Sequence, residues 1–294
     1  MPVPGQGARV PKRRPSTEFS ASSSVLLPGR NSPSLSVPVM KLPRLDTARH
    51  EDCVAGMRKL PDGFVDLVFT SPPYADLRDY ARIAPDDYIG WFLPAAYEIR
   101  RVLKRRGSFV LNINDRCVKG ARHLYVFKLV LAVVEIVGMP LIETYIWEKP
   151  NAMPGRYGPR PKDAFEYLFW FARSTDVKFR LRRVGVPYAE RRGPRDTKDT
   201  VVFRTSGRRM NDAGTRRRGW ADPGNVIRCP VAFGRGKHPA RMPEELAEFF
   251  IRLATDKGDV VLDPFLGSGT TARVAKRLGR RYLGFEIHPE YIEL

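Results

Sequence analysis

Hydrophobic positions in this chain follow two alternating rhythms from about residue 45 onward. Val65-Asp66-Leu67-Val68-Phe69 is a short, β-branched and aromatic run bounded by Gly63 and by Pro72-Pro73, and it predicts a buried strand. Asp86 to Lys104 changes period: Tyr88, Trp91, Phe92, Ala95, Ala96, Ile99, Val102 and Leu103 recur at helical spacing, with basic residues before Gly107. Ser108 to Ile113 reads as a strand, Leu124 to Val137 as a helix, Leu141 to Trp147 as a strand and Phe165 to Ala172 as a strongly aromatic strand. A short helix is expected over Val54 to Leu60. Toward the C-terminus come a helix (Pro243 to Ala254), a strand (Asp259 to Asp263), a glycine-bearing turn (Pro264 to Thr271), a helix (Ala272 to Leu278) and a strand (Tyr282 to Glu286). Strands alternating with helices predict an α/β chain built on a parallel sheet.

The rhythm fails in two places, and charge shows why this matters. Residues 1–44 hold 7 Lys/Arg against 1 Asp/Glu, and residues 173–237 hold 18 against 6, so the net charge of +19 is concentrated in two segments on a nearly neutral scaffold. Such concentration favours a polyanionic partner, nucleic acid above all. Residues 1–44, rich in Pro, Ser and Arg, are expected to be a disordered basic tail. Residues 173–237 are too long for an ordinary loop and are expected to carry function. At 43% hydrophobic, the 294 residues suffice for one large core. No apolar run approaches the roughly 18 residues of a membrane span, and an intracellular, cytoplasmic location is expected. Cys53, Cys117 and Cys229 lack metal-site spacing, so neither a disulfide framework nor a metal site is expected.

Two stretches carry candidate chemistry. Thr70-Ser71-Pro72-Pro73-Tyr74 follows the first strand. Its prolines fix φ and lack N–H groups, freeing carbonyls for a ligand, while Ser71 offers a hydroxyl and Tyr74 a flat ring. That suits a planar molecule bearing an amino group; an ordinary strand-ending turn would look similar. In the second stretch, Asp259 to Glu286, Gly267 and Gly269 let backbone N–H groups approach a ligand, and Glu286 ends the next strand where an acid can accept both ribose hydroxyls. A nucleoside-triphosphate loop would need Gly-Lys-Ser/Thr, and a dinucleotide site a third glycine; S-adenosyl-L-methionine is the best remaining candidate.

Together, TSPPY, DPFLGSGTT and the preceding Lys237-His238-Pro239-Ala240 resemble the β-class, circularly permuted amino-methyltransferases of DNA. The resemblance covers roughly residues 45–294. It implies a Rossmann-like methyltransferase fold: a mostly parallel twisted sheet with helices on both faces, divided into a catalytic half (45–172), a target-recognition region (173–237) and a cofactor-binding half (238–294). It implies S-adenosyl-L-methionine as cofactor and duplex DNA as substrate. A serine before Pro-Pro-Tyr is typical of the cytosine-N4 members, whereas adenine-N6 members usually carry Asp or Asn. Adenine-N6 methylation and an inactive DNA-binding protein are the alternatives.

The same resemblance assigns roles. Ser71, Pro72, Pro73 and Tyr74 form the catalytic loop, with Asn112 and Asp115 as support that orients Ser71 or takes up the released proton. A solvated strand end explains those two residues equally well. Asp263, Phe265, Gly267, Ser268, Gly269, Thr270 and Glu286 are expected at the cofactor, with Asp52 beside its adenine and His238 shaping a turn nearby. For Asp52 a helix N-terminal role is as good an explanation. Trp147 and Asn151, in the motif Trp147-Glu148-Lys149-Pro150-Asn151-Ala152-Met153-Pro154, are expected near the target base. Arg208, Arg209, Arg216, Arg217, Arg218, Arg228 and Arg235 are expected on DNA, chiefly at phosphates. A cognate restriction endonuclease is a further possible partner.

Overall fold

Every residue of Val65–Thr70 is buried, as expected for a strand with neighbours on both edges and helices on both faces. The computed structural model describes residues 43–75, 83–152, 160–187, 220–231 and 242–293. In chain order the elements are β1 (Thr47–His50), α1 (Cys53–Arg58), β2 (Val65–Thr70), α2 (Tyr88–Val102), β3 (Leu103–Ile113), β4 (Cys117–Val118), β5 (Ala121–Arg122) and α3 (Tyr125–Glu135). There follow β6 (Leu141–Glu148), β7 (Phe165–Ala172), β8 (Val186–Pro187), β9 (Trp220–Ala221), β10 (Val226–Arg228), α4 (Glu244–Ala254), β11 (Val260–Asp263), α5 (Thr270–Arg277) and β12 (Arg281–Glu286).

Eight strands form one sheet in the order β1-β12-β11-β2-β3-β7-β6-β10, while β4-β5 and β8-β9 are separate two-stranded ladders. All neighbours in the large sheet pair in parallel except at β7, which runs antiparallel to both β3 and β6. Alternate residues of the strands feed two cores. Val68, Phe109, Leu262 and Phe285 pack with Met57, Phe92, Ile99, Tyr125 and Leu129 of α1, α2 and α3 on one face. Leu67, Phe69, Val110 and Val261 pack with Leu246, Phe250 and Val274 of α4 and α5 on the other. The result is a three-layer α/β/α domain. No helix among the described residues is long and apolar enough to cross a membrane.

Two glycines show how tightly the first face is packed. A Cβ built on Gly56 in α1 would lie 2.3 Å from the ring of Phe285, which is fully buried, whereas one on Gly90 in α2 would meet nothing within 4 Å. Glycine-to-alanine changes inside helices ordinarily stabilise by roughly 0.8–1 kcal/mol. Gly90→Ala is expected to follow that rule. Gly56→Ala is expected to destabilise by about 1–3 kcal/mol, the overpacking cost outweighing the helix gain. Urea denaturation of the two variants should give shifts of opposite sign.

Some boundaries differ from the sequence reading. Strand β1, which the pattern did not reveal, forms the sheet edge beside β12. Helix α5 starts at Thr270 rather than Ala272, because Gly269 turns the chain in the left-handed region (φ 82°) and acts as its N-cap. Within residues 173–237, both described ends are part of the scaffold: β10 pairs with β6, and the segment after β7 is clamped against α4 and β11. There Arg180 and Arg183 reach Asp256 at 2.9 and 2.8 Å, which lowers that carboxyl to about 2, and Lys178 bridges Asp259 and Asp66. Arg173 donates to the carbonyls of Arg101 and Leu103. Part of the basic excess therefore holds the fold together.

Candidate active site

Parallel pairing of β2 with β11, Leu67 opposite Val261 and Val68 opposite Leu262, brings the two candidate loops to neighbouring strand ends. Open α/β sheets bind ligands at this carboxyl edge. A direct bond joins the loops: Thr70 Oγ1 donates to Asp263 Oδ1 at 2.6 Å. Asp263 also accepts from the Phe265 amide at 3.1 Å, so it orders the start of the glycine turn. Burial raises its carboxyl to about 7, opposed by these bonds and assisted by the charge of Glu286.

Glu286 ends β12 and holds the turn from the other side. Its Oε2 accepts from Gly267 N at 2.8 Å and its Oε1 from His288 N at 2.9 Å. Each carboxylate oxygen has two acceptor positions, so one on each oxygen remains for a diol. Gly267 adopts φ 52°, a conformation that favours glycine. Ser268 and Thr270 are buried, with Arg273 donating to the carbonyl of Ser268 and the hydroxyl of Thr270. Phe265 packs against Trp91 and Phe92, ring centroids 5.6 and 6.1 Å apart, and Trp91 stays 37% exposed. Asp52 caps α1 by accepting from Ala55 N at 2.9 Å, the helix N-terminal role. The Cys53 thiol beside it is pushed up to about 12, chiefly by burial and then by the charge of Asp52. A turn flanked by carboxylates repels phosphate, whereas a diol, an ammonium group and an aromatic ring fit it. That is the chemistry of S-adenosyl-L-methionine.

On the other loop, Tyr74 Oη donates to Glu166 Oε2 at 2.7 Å and lies 3.1 Å from Ser71 Oγ. A phenol has one proton to give. Since Glu166 receives it, Ser71 is the donor to Tyr74, which leaves the serine oxygen as an acceptor toward any substrate. Tyr88 donates to the Pro73 carbonyl at 2.7 Å, and among the described residues none donates to that of Pro72. Asn112, 1% exposed, donates to Glu166 Oε2 at 2.9 Å and to the Tyr167 carbonyl, and Lys149 pairs with Glu166 Oε1 at 2.5 Å.

Several expected residues sit elsewhere. Asp115 pairs with Arg122 rather than reaching Ser71. Trp147 is 3% exposed, its indole N–H donating to the Cys229 carbonyl at 2.8 Å, so it offers no face to a target base. It carries Lys149 over its ring instead, 4.8 Å from the centroid. Asn151 bonds Val231 through both amide atoms. Arg228 is exposed at the end of β10, 3.4 Å from Glu148. His238, Arg208, Arg209, Arg216, Arg217, Arg218 and Arg235 lie outside the described residues. Glu166, Lys149 and Tyr88 were missed as site residues. A lone acid at the start of an otherwise aromatic strand was the available signal for Glu166.

A mostly parallel sheet with a carboxylate-flanked glycine turn beside a Ser-Pro-Pro-Tyr loop defines a Rossmann-like methyltransferase. Comparison with known proteins agrees. Residues 65–294 match the family of N6 and N4 DNA methylases, and the chain belongs to it. The type II methyltransferase M.PvuII of Proteus hauseri is 32% identical over 268 residues, covering 82% of this chain and 80% of the relative. The orphan methyltransferase M.BamHII of Bacillus amyloliquefaciens is 31% identical, covering 79% and 88%. The solved PvuII DNA methyltransferase, described as cytosine-N4-specific, superposes with a TM-score of 0.66 at 28% identity, covering 83% of each chain.

Proposed function

We propose that this chain is a site-specific DNA methyltransferase that transfers a methyl group from S-adenosyl-L-methionine to the exocyclic N4 of cytosine in duplex DNA. The observation that carries the reading is the acceptor character of Ser71, supported by the Ser71–Tyr74–Glu166 hydrogen bonds, in the loop directly after a strand that is bonded to the cofactor turn through Thr70 and Asp263. Bound S-adenosyl-L-methionine supplies an electrophilic methyl on a sulfonium. Glu286 accepts from the ribose hydroxyls, Asp263 faces the methionine ammonium, and Phe265 with Trp91 forms an aromatic wall. Ser71 Oγ and the Pro72 carbonyl accept from the two N–H groups of the amine. That localises the nitrogen lone pair and aims it at the methyl for in-line transfer without a covalent enzyme intermediate. The base leaves the stack to reach this loop, and Tyr74, anchored at its hydroxyl, offers its ring to it.

Residues 173–237 supply target recognition in this reading, with Arg208, Arg209, Arg216, Arg217, Arg218, Arg228 and Arg235 on phosphates or guanine edges. Their number motivates a recognition site rich in G and C; methylation mapping that returned a site of A and T alone would overturn that part. The protein acts in the cytoplasm on the nucleoid. A cognate endonuclease, where one accompanies it, would cut the same site, and DNA methylated by this chain would resist it.

Incubation with labelled cofactor and mixed-sequence duplex DNA, followed by nucleoside separation, tests the target. Label in N4-methylcytosine is expected. Label in N6-methyladenine would replace the target while keeping the mechanism.

Asp263 also gives the cofactor affinity a pH dependence. Because the buried carboxyl protonates near pH 7, the neutral form meets the ammonium below that pH and the carboxylate above it. Affinity is expected to rise as pH increases toward about 7, by up to about tenfold per unit, and to level off above it as the carboxylate becomes fully formed. Calorimetry on wild type and on Asp263→Asn, which should be flat, checks it.

A further inference from the structure

Methyl transfer to an exocyclic amine leaves an unanswered question about a proton. As the N4–CH3 bond forms and the S–CH3 bond breaks, the nitrogen becomes cationic and must lose one of its hydrogens. Asn112, at the end of β3, is an amide, and it donates rather than accepts toward Glu166 and Tyr167. Asp115 is committed to Arg122. Ser71 alone is a poor base. Among the described residues, the one carboxylate joined to Ser71 by continuous hydrogen bonds is Glu166, through Tyr74 at 3.1 and 2.7 Å.

Resting on the amino-methylation reading above, we propose that Glu166 is the terminal proton acceptor of the reaction and positions Ser71 and Tyr74 as the relay that reaches it. The amine passes its proton to Ser71 Oγ as Ser71 passes its own to Tyr74 Oη and Tyr74 passes its own to Glu166 Oε2. The methylated amine leaves neutral, Ser71 and Tyr74 regain their starting protonation, and Glu166 ends as a carboxylic acid that later releases the proton to solvent. The existing polarity of the hydrogen bonds already points this way, so no group has to reorient. Burial, with the Glu166 charge adding to it, holds the Tyr74 phenol well above its ordinary range, so it hands a proton on without ionising by itself.

The surroundings of Glu166 hold its carboxylate in a fixed position. It is 9% exposed, and it faces Tyr74 from the loop after β2, Asn112 from β3 and Lys149 from the loop after β6; the Tyr125 phenol of α3 feels its charge. Lys149, itself held over the Trp147 ring, pairs with the other oxygen of that carboxylate and leaves Oε2 to Tyr74 and Asn112. In this sequence an amide stands at Asn112, and the acid enters the site from the neighbouring strand instead.

The relay is separated from a purely structural role by variants that keep shape. Glu166→Gln retains an acceptor for Tyr74 but cannot take a proton, and Tyr74→Phe removes the link while keeping the ring. Single-turnover methyl transfer is expected to fall about tenfold in each, general-base contributions being about 10²-fold or more when complete. The double variant should be no slower than the slower single one, because both break one path. The acidic fall of the wild-type rate with pH should flatten in Glu166→Gln, and Glu166→Asp should recover part of the rate. Cofactor affinity by calorimetry should stay within about twofold in all of them. A Glu166→Gln protein with the wild-type rate and pH profile, or additive losses in the double variant, would overturn the relay. Wild-type protein that labels no amino nitrogen would instead overturn the reading on which the relay rests.

Discussion

Ser71→Ala is expected to lower the single-turnover rate of DNA methylation by about 10²–10³-fold, the usual cost of losing one preorganised hydrogen-bonding group at a reacting centre. Tyr74 gives its only proton to Glu166, so Ser71 donates to Tyr74 and turns its lone pairs to the substrate. Alanine removes that acceptor and also the first step of the proton path. The cofactor turn is untouched, since it is held by Asp263 and Glu286. Rapid-quench measurements should therefore show a lost rate with cofactor affinity unchanged within about twofold. Equal losses in both would place Ser71 in the cofactor pocket instead.

The second large effect belongs to Glu286→Ala. The carboxylate is expected to receive two ribose hydroxyls, and hydrogen bonds to a charged group contribute roughly 1.5–3 kcal/mol each without adding fully. The same side chain fixes Gly267 N and His288 N. Its removal should weaken S-adenosyl-L-methionine about 10²-fold, or roughly 2.7 kcal/mol. Glu286→Gln should fall between, because one amide oxygen can still accept. Calorimetric titration that gave wild-type affinity for the alanine variant would move the ribose away from Glu286.

Much of the scaffold was legible because its signals were local. Apolar runs bounded by glycine and proline marked β2, β11 and β12, and an unbroken helical period marked α2. The two loops were legible as chemistry because proline, glycine and serine have few reasons to cluster as they do there. Glu166 was not, since its place depends on the direction of β7. A parallel β7 would carry that acid to the opposite edge of the sheet; the antiparallel pairing of Trp147 with Glu166 puts it beside Tyr74. Periodicity carries no information about direction. Trp147 shows a related limit: the motif around it led to an expectation of nearness to the target base, and only the bond to Cys229 shows that its indole N–H is turned inward. Arg173, Arg180 and Arg183 counted toward a basic surface until their carbonyl and carboxylate partners placed them inside the scaffold.

The bond between Thr70 and Asp263 spans 193 residues of chain, and this separation governs how the protein is made. Synthesis proceeds from the N-terminus, so the catalytic loop and most of the sheet leave the ribosome long before β11, α5 and β12. Until those arrive, β2 lacks a neighbour on one side, and an unpaired strand edge is a template for joining another chain. The segment from β11 to β12 thus both completes the cofactor turn and gives β2 its second neighbour, so a chain still lacking it has no seat for the methyl donor.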